Sequence, residues 1–201
     1  MKNFLLLLCT SFLLFACGSS KPAAGTESYV RPGYAKKKYK QILVLGTMKD
    51  VVGRKKTESA LTDLLNRSGY HGLASNAYFD LEGISHIDTL KARMAPLDFD
   101  AVIVLQYLGQ SSTITDKVTV SPTTPLVTGS FFDFYTSPAY DFSYESQSQR
   151  AGYVNASFYT RENYQKEWNS IVQVNFSNGL EMASELLAGA TLSRLVRDKI
   201  L

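Results

Sequence analysis

Gly46 and Gly53 bracket the first segment that could do chemistry. They stand in Ile42–Ser59, "ILVLGTMKDVVGRKKTES", where an aliphatic run ends at a glycine and a basic, helix-forming stretch follows. Phosphate-binding loops begin this way. That chemistry needs two glycines around four residues, then Lys and Ser/Thr at once, so that backbone N–H groups and the lysine reach the phosphates together. Here six residues separate the glycines, and Arg54 stands where lysine should. The dinucleotide glycine fingerprint is absent too. The stretch reads as a β–loop–α connection, and no nucleotide is expected.

Other reactive types are sparse. His71 and His86 lie in neither H-x-x-x-H nor H-E-x-x-H spacing, so they read as surface or capping residues, and no metal or cofactor is expected. No G-x-S-x-G elbow or S-x-x-K occurs. A Ser–His–Asp triad stays open, since its members need not be close in the chain. Asp98 and Asp100 precede a strand, where solvated turn acids are normal. The expectation is a protein without catalytic residues.

The anomaly is aromatic. Phe131, Phe132, Phe134, Tyr135, Tyr140, Phe142 and Tyr144 fall within 14 residues, among Gly129, Ser130 and Pro138. One reading has the rings pack inward and staple a long excursion. The other makes 126–146 an exposed binding surface for a protein partner, a glycan or self-association, since such rings are enriched at interface cores and long loops are often functional. The alternative function uses the same segment as subsites of a periplasmic carbohydrate- or cell-wall-acting hydrolase, with Asp133, Asp141 and Glu145 beside them. Convergent carboxylates about 5–9 Å apart would mark that chemistry.

The amino terminus says where the protein sits. Lys2 precedes an apolar run of 12 residues, Phe4–Phe15, short of the roughly 20 a membrane-spanning helix needs. It fits a secretory signal. The run ends in "LFAC", Leu14–Cys17, which resembles the bacterial lipobox, with Phe15 bulkier than usual there. The resemblance implies cleavage after Ala16 and acylation of Cys17. Several acyl chains anchor stably, each buried CH2 contributing about 0.8 kcal/mol. Gly18 is not the aspartate that retains lipoproteins at the inner membrane, and "GSSKPAAG" lacks an acidic export run. The family rule therefore implies the outer membrane, periplasmic face. Cys9 leaves with the signal and Cys17 is consumed by lipid, so the mature domain has no thiol for catalysis, zinc or a disulfide.

These features need a scaffold. Residues 17–40 read as a lipidated cysteine and a flexible tether, Gly-, Ser-, Pro-, Ala- and Lys-rich. Six basic residues against Glu27 give it +5. The body, 41–201, has 14 basic and 17 acidic residues, net −3, so the chain's formal +3 comes from the tether and the cleaved signal. "KKKYK" is a solvated linker or an attraction to anionic headgroups; nucleic acid is not an expected partner.

About 160 residues suit one domain. Gln41–Gly46 and Ala101–Leu108 are aliphatic runs typical of buried strands. Leu61, Leu64 and Leu65 give Arg54–Ser68 helical spacing, stopped at Gly69. Arg54 and Glu58 are placed to pair on that helix's surface. Gly72–Tyr78 reads as a short strand and Ser85–Met94 as a helix. "RAGYVNASFYTRE" and "KEWNSIVQVNFSN" read as a hairpin turning near Asn163 and Tyr164. Gly179–Ile200 is a long amphipathic helix with a stripe of Leu180, Ala183, Leu186, Leu187 and Ala190. Asn178 and Glu181 have capping-box spacing.

The expected fold is therefore α/β: a layered mixed sheet with helices on its faces and a long C-terminal helix. The lipobox, the Arg54–Glu58–Leu61–Leu64–Gly69 pattern after the first strand, "DAVIVLQYLG", and a hairpin bearing Trp168 resemble a class of small envelope lipoproteins. Its better-known relatives in fold are the curli-secretion lipoprotein and the lipoprotein activator of penicillin-binding proteins. The resemblance implies a fold and a role in binding envelope proteins or in self-assembly; it carries over no catalytic residue. "LSRLVR", Leu192–Arg197, resembles a peptidoglycan-binding motif, but Gly189 occupies the asparagine position and the aspartate-bearing half is missing. The helix stripe explains those residues without it.

Overall fold

The computed structural model describes residues 28–81, 86–112, 150–176 and 178–201. In chain order these form β1 (Ser28–Val30), β2 (Gln41–Thr47), α1 (Val51–Arg67), β3 (His71–Ala74), a 3-10 turn (Ser75–Ala77), α2 (Ile87–Met94), β4 (Ala101–Ser112), β5 (Arg150–Thr160), β6 (Lys166–Asn175) and α3 (Gly179–Arg197). The strands make one mixed sheet in the order β1-β6-β5-β4-β2-β3. β2 runs parallel to β3 and β4; the remaining neighbours are antiparallel. This is the expected layered α/β fold.

The two aliphatic runs are central strands, and each is buried on both faces. Ile42 and Val44 join Ala101, Ile103 and Leu105 beneath α1 and α3. Leu43 and Leu45 join Val102 and Val104 beneath Leu90 and Met94 of α2. With no solvated face there is no polar alternation to display, which is why both runs read as continuous. The hairpin turn falls where expected. Tyr164 takes φ 53°, and the Asn163 side chain accepts from the Gln165 N–H at 2.9 Å. Arg161, leaving that hairpin, donates to the carbonyls of Leu97 and Ala95 at 2.6 and 3.1 Å and lies over the Phe99 ring. It thereby closes the C-terminal end of α2.

Four local expectations are corrected. Arg54 and Glu58 are not a surface pair: both are buried. His71–Ala74 is the strand, and Ser75–Ala77 turns away as 3-10 helix. Asn178 caps α3 without a side-chain hydrogen bond, while Glu181 reaches across to Lys56 on α1 instead. Leu186 points to solvent, 50% exposed; Ala183, Leu187, Ala188, Leu192 and Leu195 make the buried stripe.

The largest difference lies before β2. Residues 28–40, read as tether, are laid on the domain. β1 pairs with β6, placing Val30 opposite Trp168. Tyr39 meets Phe158 edge-to-face at 5.0 Å. The Tyr34 hydroxyl donates to the Ile200 carbonyl at 3.1 Å and shares a hydrogen bond with the Tyr39 hydroxyl. Burial, with that hydrogen bond, pushes the Tyr39 phenol well above its usual range. Arg31 pairs with Glu167, and Lys37 with Glu162. Lys36 donates to the Leu201 carbonyl at 2.6 Å. Three cations credited to a free basic tether thus have partners within the domain.

Asp198, just past α3, ties this corner together. It accepts from Trp168 Nε1 at 2.7 Å, from Ser28 Oγ, and from Arg197 Nε at 2.8 Å. Burial would raise its pKa, but the hydrogen bonds from Arg197, Ser28 and Trp168, with the Arg197 charge, outweigh this and hold it below the ordinary 3.8. A carboxylate depressed on folding adds stability above its unfolded pKa, which is lost as pH falls through the folded value. Acid titration of stability is therefore expected to be steeper below about pH 4 in the native chain than in Asp198→Asn. Urea midpoints across pH 2–7 check this, and parallel acid limbs would remove Asp198 from the account.

Candidate functional site

Two buried polar clusters flank the C-terminal end of β2, where β2 lies between its parallel neighbours β3 and β4. This is the end of an open α/β sheet at which ligand crevices form.

The first cluster is on the α1 side. Glu58 is fully buried, and both its oxygens are engaged. Oε1 accepts from the Gly46 N–H at 2.8 Å and from Ser75 Oγ at 2.9 Å. Oε2 accepts from the Asn76 N–H at 2.8 Å and from Asn76 Nδ2 at 2.7 Å. One turn earlier, Arg54 runs past Gly46 to Asp80, with Nη2 to Oδ1 at 2.8 Å. Gly46 has to be glycine here. A Cβ would stand 2.9 Å from Arg54 Cγ and 3.4 Å from Glu58 Oε1. The opening segment thus does hold an anion at its first glycine, near the end of β2, but the anion is the protein's own carboxylate. A group whose lone pairs are already taken by four donors is a poor general base. Its work is to fasten the end of β2 to the 3-10 turn after β3.

The second cluster is on the α2 face. β2, β4, β5 and β6 carry a polar belt there, set by register. Thr47 is paired with Gln106, Gln106 with Asn155, and Ser157 with Asn169. Gln106 and Asn155 are 7% exposed, Asn169 1% and Ser157 0%. Asn169 Nδ2 donates to Asn155 Oδ1 at 3.3 Å. Among the described residues, the buried oxygens Thr47 Oγ1, Gln106 Oε1, Ser157 Oγ and Asn169 Oδ1 have no hydrogen-bond partner. Buried polar atoms are ordinarily satisfied, so a belt of such acceptors is suited to receive hydrogen-bond donors. Its members are amides and hydroxyls, groups that hydrogen-bond.

Among solved structures, those similar in fold to this chain include two bacterial proteins. One is the PelC dodecamer from Paraburkholderia phytofirmans, at 11% identity and a TM-score of 0.46, covering 85% of this chain and 95% of that one. The other is lipoprotein GNA1162 from Neisseria meningitidis, at 17% identity and a TM-score of 0.41, covering 79% of this chain and 96% of that one. No family model and no curated protein matches.

The residues singled out from sequence fall elsewhere. Cys17 lies outside the described residues, as do Phe131, Phe132, Phe134, Tyr135, Tyr140, Phe142 and Tyr144. Asp133, Asp141 and Glu145 do too. His71 and His86 are exposed, on β3 and before α2. Asp100 is a joint: Oδ2 accepts from the backbone N–H of Lys40 and of Gln41. Among the described residues, no group of three His, Cys, Asp or Glu is placed to hold a metal. Sequence reasoning missed the belt. Its signal is polar residues in strand positions on the α2 face, and it emerges only once register aligns Gln106, Asn155, Ser157 and Asn169.

Proposed function

We propose that this chain is a lipid-anchored protein of the bacterial cell envelope, at the periplasmic face of the outer membrane. Its α/β domain binds envelope proteins or further copies of itself and does not catalyse. The anchor rests on the Lys2, apolar run and "LFAC" sequence. The observation that carries the reading is where the domain begins. β1 starts at Ser28, eleven residues after Cys17. At 3.3–3.6 Å per residue, eleven residues reach no more than about 40 Å. A lipid on Cys17 would hold the domain against the membrane with its β1 edge nearest the anchor. The non-catalytic part is supported by the two polar clusters: a saturated carboxylate, and a belt of amides and hydroxyls.

Replacing Cys17 with Ser tests the anchor. Expressed in a Gram-negative cell, the wild-type chain is expected to incorporate radiolabelled palmitate and to fractionate with the outer membrane. Cys17→Ser should lose the label entirely. Equal labelling of the two chains, or none in the wild type, would sink the assignment.

A further inference from the structure

We propose that the outward face of α3 is a self-association surface on which two copies pack antiparallel, crossing at Gly189. The inference deepens the self-assembly part of the function proposed above and rests on it.

The outward face of α3 carries Met182, Leu186, Gly189, Ser193 and Val196, spaced 4-3-4-3. That spacing is the seam of one helix packed along another. Met182 is 44% exposed, Leu186 50% and Val196 48%. Three of the six large apolar side chains exposed among the described residues thus lie on one helix face. The opposite face is already buried on the sheet, so the domain's own core does not explain this stripe.

Gly189 adds an independent observation. Glycine is the poorest interior helix former apart from proline, and here its Cβ would meet nothing within 4 Å. Among the described residues, no contact requires it. A neighbouring backbone crossing at this point would, because small residues let helix axes approach closely.

Symmetry and charge select a second copy, antiparallel. Met182 and Val196 stand seven residues on either side of Gly189. A two-fold axis at Gly189 therefore sets each Met182 against the other copy's Val196. A C2 contact of this kind is self-complementary. The first turns of α3 carry Glu185 beside Glu181, which already pairs with Lys56. Its end carries the half-exposed Arg197, which also meets Asp198, and Lys199 just beyond, while Arg194 turns inward to Ser170 and the Ile171 carbonyl. Antiparallel packing places the acidic end of each copy beside the basic end of the other and opposes the helix dipoles favourably. Parallel packing would bring like charges together. The seam runs about 21 Å at 1.5 Å per residue. One such helix face offers less than the roughly 800 Å² per partner of a standard interface. The dimer is therefore weak in solution and populated where tethering to a membrane raises the effective concentration.

Disulfide trapping in cells tests this, because the acylated chain has no other thiol. Full-length Gly189→Cys, oxidised in the periplasm, is expected to yield several-fold more disulfide homodimer than His71→Cys, placed on the exposed β3 edge. Val196→Cys alone should give little. Met182→Cys and Val196→Cys expressed together should cross-link to each other. Adding Leu186→Glu to Gly189→Cys should abolish trapping while membrane-bound protein stays at its normal level. Trapping no higher than His71→Cys, efficient self-trapping by Val196→Cys, or capture of a different polypeptide at residue 189 overturns the proposal. Fractionation of the same cells separates the two ideas: a membrane-bound chain that does not trap removes the dimer and leaves the anchor standing. A disulfide dimer of the unsubstituted chain would mean a free Cys17, and would overturn the anchor on which the inference rests.

Discussion

Glu58→Ala is expected to cost the domain about 3–5 kcal/mol, the range for removing one member of a buried charged network. The substitution takes away a single carboxylate and strands four donors: the N–H groups of Gly46 and Asn76, Ser75 Oγ and Asn76 Nδ2. Each is short of 3 Å from its acceptor, and the carboxylate is wholly out of water. An unsatisfied buried donor costs about 1–3 kcal/mol, and the Gly46 N–H and Ser75 Oγ bonds to Glu58 are buried. Glu58→Gln keeps the shape but turns an N–H2 toward one of the donor pairs, so an intermediate loss is expected. Urea unfolding of the three chains, followed by the single tryptophan, Trp168, measures both. A Glu58→Ala midpoint within error of the native one would show that this carboxylate does not hold β2 to the 3-10 turn.

The second large effect concerns the chain before β2. A protein beginning at Ser28 should unfold like the full mature chain, whereas one beginning at Gln41 should lose at least about 3–5 kcal/mol, the scale of truncating one large core aromatic. It removes two partly buried rings packed against the core, Tyr34 and Tyr39, together with the β1 strand. Tyr39 packs on Phe158, and Tyr34 bonds the Ile200 carbonyl. Without Ser28, Asp198 keeps Trp168 and Arg197 but loses a hydroxyl donor. Without β1, the open edge of β6 would be an unpaired template for other strands. Increased aggregation of the shorter protein is expected alongside the lower midpoint, read by light scattering. Equal midpoints for starts at 28 and 41 would return these residues to the tether.

Much of this fold was legible in the chain. Gln41–Gly46 and Ala101–Leu108 announce central strands because burial on both faces leaves no polar position to interrupt them. α1 and α3 follow from helical spacing of leucines and alanines. The antiparallel hairpin follows from two β-rich runs around Asn163.

Tertiary structure decided what depends on partners distant in the chain. Charged residues four apart on a helix ordinarily face water, so Arg54 and Glu58 read as a surface pair. Only the donors brought from Gly46, Ser75 and Asn76 make burial of that carboxylate tolerable. β1 is three residues long, too short for any period, and its partner strand lies some 140 residues later. Leu186 looks like a core residue by hydrophobicity alone, yet the packing angle of α3 turns it outward. The polar belt is a property of register, with four strands contributing one or two residues each. By itself the sequence determined the periodic elements and the lipobox-like terminus, because those signals are local and repeat along the chain. Which side of each element meets which neighbour was decided by the sheet order, because burial and charge are settled by atoms that only folding brings within a few ångströms.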